Sequence, residues 1–167
     1  MNESIFYTLA KERMSREMTR LEELTREMDR DPAQKKREIA TYKRAKYREA
    51  GIANIYVMFY NSYRLRRSNA QTCYLISYAY EAFSKDPKAM ELYRNTPAAR
   101  QPDVGLYLGI LAFAKELIQQ KEEKLPLAND WERVELTTYL EGHRFAVEAL
   151  RTAWKESGGE DYETDRD

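Results

Sequence analysis

Apolar residues near the start of the chain recur at the spacing of an α-helix. Tyr7, Met14, Leu21 and Met28 are seven residues apart. Positions separated by three, four or seven residues share one side of a helix, so residues 4–30 are predicted to form one long amphipathic helix. Its apolar stripe fits either the core face of a bundle or a coiled-coil seam joining two chains in a homodimer. We favour the core face because Glu17 falls on the seam.

The rest of the chain continues in helical patterns, and no alternating β pattern of useful length occurs. Asp31, Asp86, Asp103 and Asp130 are predicted N-terminal caps, and Gly51 is predicted to break or kink the chain. The predicted helices after the first cover 32 to about 50, 52–67, 68 or 69 to about 85, 87–95, 104 to about 123 and 131 to about 156, with Thr96 to Pro102 and Pro126 to Asp130 as loops.

Residues 104–118 are apolar on two sides of the predicted helix, which is typical of a helix with neighbours packed around it. We therefore expect an all-α fold: a single compact bundle of six to seven helices with a long N-terminal helix, built around 104–118 and 131–155. Residues 1–157 are predicted to form one helical domain. The remaining residues, 158–167, are acidic and are expected to be a disordered tail.

The composition argues against catalysis and against a metal site. The chain has one His and one Cys, so no Cys/His metal cluster can form, and no phosphate-binding loop or nucleophile motif is present. His143 is predicted to be a core residue and Cys73 a packed apolar one. We expect a protein that is not an enzyme and uses no cofactor.

The expected compartment is the cytoplasm. A lone Cys suggests reducing conditions, and the N-terminus lacks the pattern of a signal peptide. The longest apolar stretch, Val104 to Ile118, is interrupted by Lys115 and Glu116, which makes it too polar to span a bilayer. No membrane association is therefore expected.

The charge distribution is strongly uneven. Residues 32–67 contain ten Lys or Arg and two Glu, a net charge of +8, although the whole chain is neutral with 28 basic and 28 acidic residues. The helix that begins at Pro32 carries cations almost all round its surface, so it can bury little and must face water or a charged ligand.

This segment predicts a nucleic-acid interface. Cations attract backbone phosphates whatever the base sequence, and neighbouring aromatic rings can stack on unpaired bases. Because no trustworthy helix-turn-helix pattern follows, RNA or single-stranded DNA is favoured, with the protein as a small subunit of a nucleoprotein complex. The predicted interface consists of the cations Lys35, Lys36, Arg37, Lys43, Arg44, Lys46, Arg48, Arg64, Arg66 and Arg67 and the stacking candidates Tyr42 and Tyr47.

Two other interpretations stay open. Acidic helices of the same chain could neutralise the basic segment, which would then be an ordinary solvated face. Alternatively, the charged faces could belong to a helical adaptor or inhibitor that docks a protein partner and does not contact nucleic acid.

Overall fold

A computed structural model of the chain describes residues 4–65 and 84–160. The helices within these ranges are α1 (Ile5–Asp29), α2 (Pro32–Arg37), α3 (Ile39–Leu65), α4 (Pro87–Asn95), α5 (Gln101–Lys124) and α6 (Asp130–Glu156). Two 3₁₀ turns, Ala98–Arg100 and Leu125–Leu127, precede α5 and α6. The described ranges contain no strand, so the predicted all-α fold is confirmed.

Some of the predictions lie outside the described residues. These are the helix from Ser68 or Asn69 towards Lys85, except for its last two residues, the packing of Cys73, the interface cations Arg66 and Arg67, and the acidic tail beyond Glu160.

The apolar stripe of α1 is a core face. Tyr7, Met14, Leu21 and Met28 are each no more than 3 % exposed, and α1 packs against α3 and α6. The stripe that a helix 1 homodimer would use is therefore already buried within the chain. Ser4 caps the helix, because its hydroxyl oxygen accepts a hydrogen bond from the Tyr7 amide at 3.2 Å.

The four long helices, α1, α3, α5 and α6, alternate in direction in the order in which they follow along the chain. The Tyr63 hydroxyl accepts a hydrogen bond from the Ser4 amide at 3.3 Å, whereas Tyr42 bonds to Asp29, so α1 and α3 are antiparallel. The α6 helix runs in the same direction as α3, and α5 runs back along α6.

The α6 helix contacts α1, α3 and α5, as predicted for 131–155, but its most extensive contact is with α3. The bundle is therefore centred on α3 and α6, and the prediction of 104–118 as a second central helix is wrong.

Aromatic rings fill one end of the core. Phe6 packs edge-on against Trp154 and Tyr107, with ring centroids 5.4 Å and 5.5 Å away. Tyr107 stacks on Trp154 at 4.7 Å. These rings come from α1, α5 and α6, so a single aromatic cluster joins three helices at this end.

The predicted break at Gly51 is wrong. The α3 helix continues through Gly51, and the chain breaks earlier, at Glu38 between α2 and α3. A Cβ on Gly51 would lie 2.5 Å from the Tyr139 carbonyl oxygen, and one on Gly142 would lie 2.3 Å from the Arg48 carbonyl oxygen. The glycines let the backbones of α3 and α6 touch, a role that requires no change in helix geometry.

Two of the four predicted caps are also wrong. The helix assigned to start after Asp103 begins at Gln101, because proline is tolerated in a first turn. Asn129 rather than Asp130 caps α6, and its side-chain oxygen accepts a hydrogen bond from the Glu132 amide at 2.8 Å. The other two predicted caps, Asp31 and Asp86, are confirmed.

Candidate nucleic-acid interface

Between Pro32 and Ala50 the predicted basic segment forms α2 and the first half of α3, and little of this part is buried. The α2 helix has no buried residue, and Ile39, at the start of α3, is 41 % exposed. Ala45 is the buried position in this half of α3, at 5 % exposure. The expectation of a helix that faces water is therefore confirmed for these residues.

Lys35 and Tyr42 are engaged with α1. The Lys35 ammonium donates to Asp29 Oδ1 at 2.9 Å, and the Tyr42 hydroxyl donates to the same oxygen at 3.0 Å. These two hydrogen bonds hold the pKa of Asp29 below its ordinary value, and the bond to Asp29 raises the pKa of Lys35. The three side chains tie the end of α1 to α2 and α3.

Arg44 and Arg48 face carboxylates of neighbouring helices. Both guanidinium groups lie 3.8 Å from Glu141 of α6, and Arg48 also lies 3.8 Å from Glu17 of α1. Arg48 is partly covered, with its guanidinium 5.4 Å from the Phe145 ring centroid. For these two arginines the interpretation of neutralisation within the fold is correct.

Four cations between Pro32 and Ala50 have no such partner. Lys36, Arg37, Lys43 and Lys46, hereafter the open cations, form no ion pair with any carboxylate in the described part of the chain. Lys43 is half-buried and the other three are exposed. Lys46 interacts at longer range with Asp29 and Glu49, and its ammonium lies 5.6 Å from the Tyr42 ring centroid.

Arg64 is far from the open cations. It follows Lys46 by eighteen residues in the same helix, which at 1.5 Å per residue places it about 27 Å further along the axis. Its guanidinium donates to the Tyr60 hydroxyl at 3.4 Å and lies 5.4 Å from that ring centroid. The structure does not bring Arg64 together with the open cations.

Tyr47, the second stacking candidate, packs between helices. Its ring centroid lies 5.5 Å from that of Tyr139 in α6, and the Lys121 ammonium lies 5.6 Å from the Tyr139 ring centroid. Burial raises the pKa of Tyr139 and lowers the pKa of Lys121, and it is the largest cause of each shift. Both tyrosines are half-buried.

Trp131 is the aromatic residue that sequence analysis missed. It lies in the first turn of α6 and is 53 % exposed. The Lys43 ammonium lies 4.3 Å from its ring centroid, the distance of a close cation–π contact. The signal was present in the sequence, because at 100° per residue Trp131 falls outside the apolar stripe of its helix.

His143 takes no part in this surface. It is fully buried, as predicted, and its Nδ1 lies 2.7 Å from the Gly51 carbonyl oxygen. Burial lowers the pKa of His143 to about 4. Among the described residues no three His, Cys, Asp or Glu side chains are arranged to hold a metal ion.

None of the described helices combines the length and the apolar character needed to cross a bilayer.

Comparison with known proteins gives no relative. No protein-family model matches the chain, and no curated protein or solved structure is significantly similar to it.

Proposed function

We propose that this protein binds the sugar–phosphate backbone of RNA or single-stranded DNA through the open cations. It does so without catalysis, in the cytoplasm, as a small subunit of a nucleoprotein complex. The observation that carries the proposal is the division among the basic residues: Lys35, Arg44 and Arg48 face carboxylates, whereas the open cations keep their charge available to an outside ligand.

The open cations explain what kind of binding to expect. Each phosphate that a Lys or Arg neutralises releases condensed counterions, which favours binding at low salt whatever the base sequence. Four contacts are few, so the affinity falls in the range of non-specific binding, with Kd about 10⁻⁴ to 10⁻⁶ M at physiological salt. A larger assembly would supply the remaining affinity through its other subunits.

Neutralising the open cations tests the proposal. The variant Lys36→Gln/Arg37→Gln/Lys43→Gln/Lys46→Gln is expected to bind labelled oligo(U) about a hundredfold more weakly than the native protein at 50 mM salt, because four phosphate contacts are lost. Its melting temperature is expected to stay within about 4 °C of native, since none of the four side chains is in an ion pair with a described residue, three are exposed, and the Lys43–Trp131 contact contributes about 0.5–1 kcal/mol. Fluorescence anisotropy measures the first quantity and calorimetry the second.

The matched control removes the same charge elsewhere. Lys85, Arg94, Arg100 and Arg16 are exposed and lie outside the basic segment. Replacing these four with Gln is expected to change the affinity less than threefold. Equal losses in the two variants would mean that net charge alone drives binding, and the assigned interface would be wrong.

A protein partner is the second candidate. Leu127 is 90 % exposed and Val134 is 48 % exposed around the start of α6, and such apolar side chains can anchor a protein interface. A native protein that binds neither oligo(U) nor oligo(dT) at 50 mM salt would favour this adaptor role over the first proposal.

A further inference from the structure

Trp131 lies next to Lys43, one of the open cations, and much of its indole is exposed. Its exposed fraction is 53 %, although a large aromatic side chain gains free energy from burial. The Lys43 ammonium covers part of one ring face at 4.3 Å. Part of the indole is therefore accessible to a flat ligand.

The two tyrosines predicted to stack are less available than Trp131. Two cations lie near the Tyr42 ring, with Lys35 at 4.3 Å and Lys46 at 5.6 Å from its centroid, and the Tyr42 hydroxyl is bonded to Asp29. Tyr47 packs against Tyr139. Stacking on either tyrosine would require existing contacts to open at a half-buried ring, whereas Trp131 is exposed and has one ring contact among the described residues, with Lys43.

We propose that Trp131 is the platform on which an unpaired base stacks, so that the ligand of this surface is a single strand. This inference rests on the proposed function, because the open cations supply the attraction that brings the strand to the indole. Lys43 belongs both to the open cations and to the stacking site. Its ammonium contacts the Trp131 ring and is therefore placed to meet the phosphate next to a stacked base.

A second aromatic residue, the half-buried Tyr139, lies further along α6. Tyr139 follows Trp131 by eight residues, about 12 Å along the helix axis at 1.5 Å per residue. The Tyr139 ring centroid lies 5.5 Å from that of Tyr47 and 5.6 Å from the Lys121 ammonium. An aromatic ring and an ammonium group are therefore combined here as they are at Trp131. In a duplex each base is stacked between its neighbours, so only the terminal base pairs offer a free face to the indole.

Substitution of Trp131 separates stacking from charge attraction. The variant Trp131→Ala is expected to weaken binding of a 12-nucleotide oligo(U) about 5- to 150-fold at 50 mM salt, the range that corresponds to single base–aromatic contacts. Its affinity for a 12-base-pair duplex is expected to change less than twofold. Leu127→Ala is the matched control, because Leu127 is more exposed than Trp131 and has no ring.

Tryptophan emission provides a second measurement on the native protein. The chain has two Trp, and Trp154 is only 3 % exposed, so quenching on addition of oligo(U) reports on Trp131. We expect clear quenching by oligo(U) and little by the duplex at equal occupancy.

The outcomes are distinct. Binding that remains salt-dependent but is unaffected by Trp131→Ala, or is weakened equally by Leu127→Ala, would overturn the stacking inference and leave the proposed function standing. Failure of the native protein to bind oligo(U) at 50 mM salt would overturn the proposed function, and the stacking inference with it.

Discussion

Replacing Gly142 with alanine is expected to lower the free energy of unfolding by about 3 kcal/mol or more. The added Cβ would lie 2.3 Å from the Arg48 carbonyl oxygen and 2.9 Å from the Gly51 Cα. These are backbone atoms of α3, which cannot rotate away as a side chain could, so the two helices must separate. For a chain of this size the melting temperature should fall by about 6–12 °C.

The other glycines of the chain supply controls for this prediction. Gly51→Ala should destabilise similarly, because its Cβ would meet the Tyr139 carbonyl oxygen at 2.5 Å. Gly105 lies inside α5, where a Cβ would make an ordinary 3.6 Å contact with the Tyr93 ring. Gly105→Ala should therefore stabilise the protein by about 0.5–1 kcal/mol through helix propensity. Calorimetry that finds Gly142→Ala as stable as the native protein would contradict the close helix contact.

Acidification from pH 7 to pH 4 is expected to remove about 3 kcal/mol of stability through His143 alone. An unfolded histidine titrates near pH 6.5, whereas His143 in the fold has a pKa of about 4. Between these values the unfolded chain binds a proton that the folded chain does not. The contribution is therefore complete above pH 6.5 and is lost as the pH falls towards 4.

The cause of this low pKa is visible around the imidazole. Neutral His143 donates its Nδ1 proton to the Gly51 carbonyl oxygen at 2.7 Å. Its buried Nε2 has no hydrogen-bond partner among the described residues, so a proton added there would be both desolvated and without an acceptor.

The variant His143→Gln isolates this contribution. His143 is the only histidine in the chain, and the carboxylates titrate alike in both proteins. Denaturant unfolding at pH 7 and at pH 4 should show a pH-dependent loss smaller by about 3 kcal/mol in the variant. Parallel stability curves for the two proteins would contradict the assignment.

Local pattern was enough to predict most of the helices. The seven-residue spacing of Tyr7, Met14, Leu21 and Met28 identifies the buried side of α1, because burial follows helical periodicity. The Asp-Pro pairs at 31–32 and 86–87 mark helix starts correctly. At the last helix, Asn129 and Asp130 are both good caps, and local preference could not choose between them.

Long-range contacts could not be predicted in the same way. Gly51 was assigned to a break because a glycine inside a helical pattern fits either a break or a close approach of two backbones. Its partner, Gly142, lies 91 residues away in the sequence, and nothing local connects them. The same holds for the basic segment, since only the packing of α1 and α6 puts Glu17 and Glu141 beside Arg48.

For the same reason, only part of the candidate site could be predicted from the sequence. Charge counting located the basic segment, but it could not separate Lys35, which is paired with Asp29, from Lys36, which is not. Charge counting could not find Trp131, because this residue lies in a different helix from the segment that carries the cations. Its contact with Lys43 joins α6 to α3 and depends on the tertiary fold.

The salt dependence of oligo(U) binding tests the central claim most directly. Four phosphate contacts to a single strand predict that a plot of log affinity against log salt concentration falls with a slope of about −3, at about 0.7 per contact. The measurement requires only the native protein and a labelled oligonucleotide titrated at several salt concentrations. A slope near −3 would support backbone binding by the open cations, and a slope near zero would contradict it.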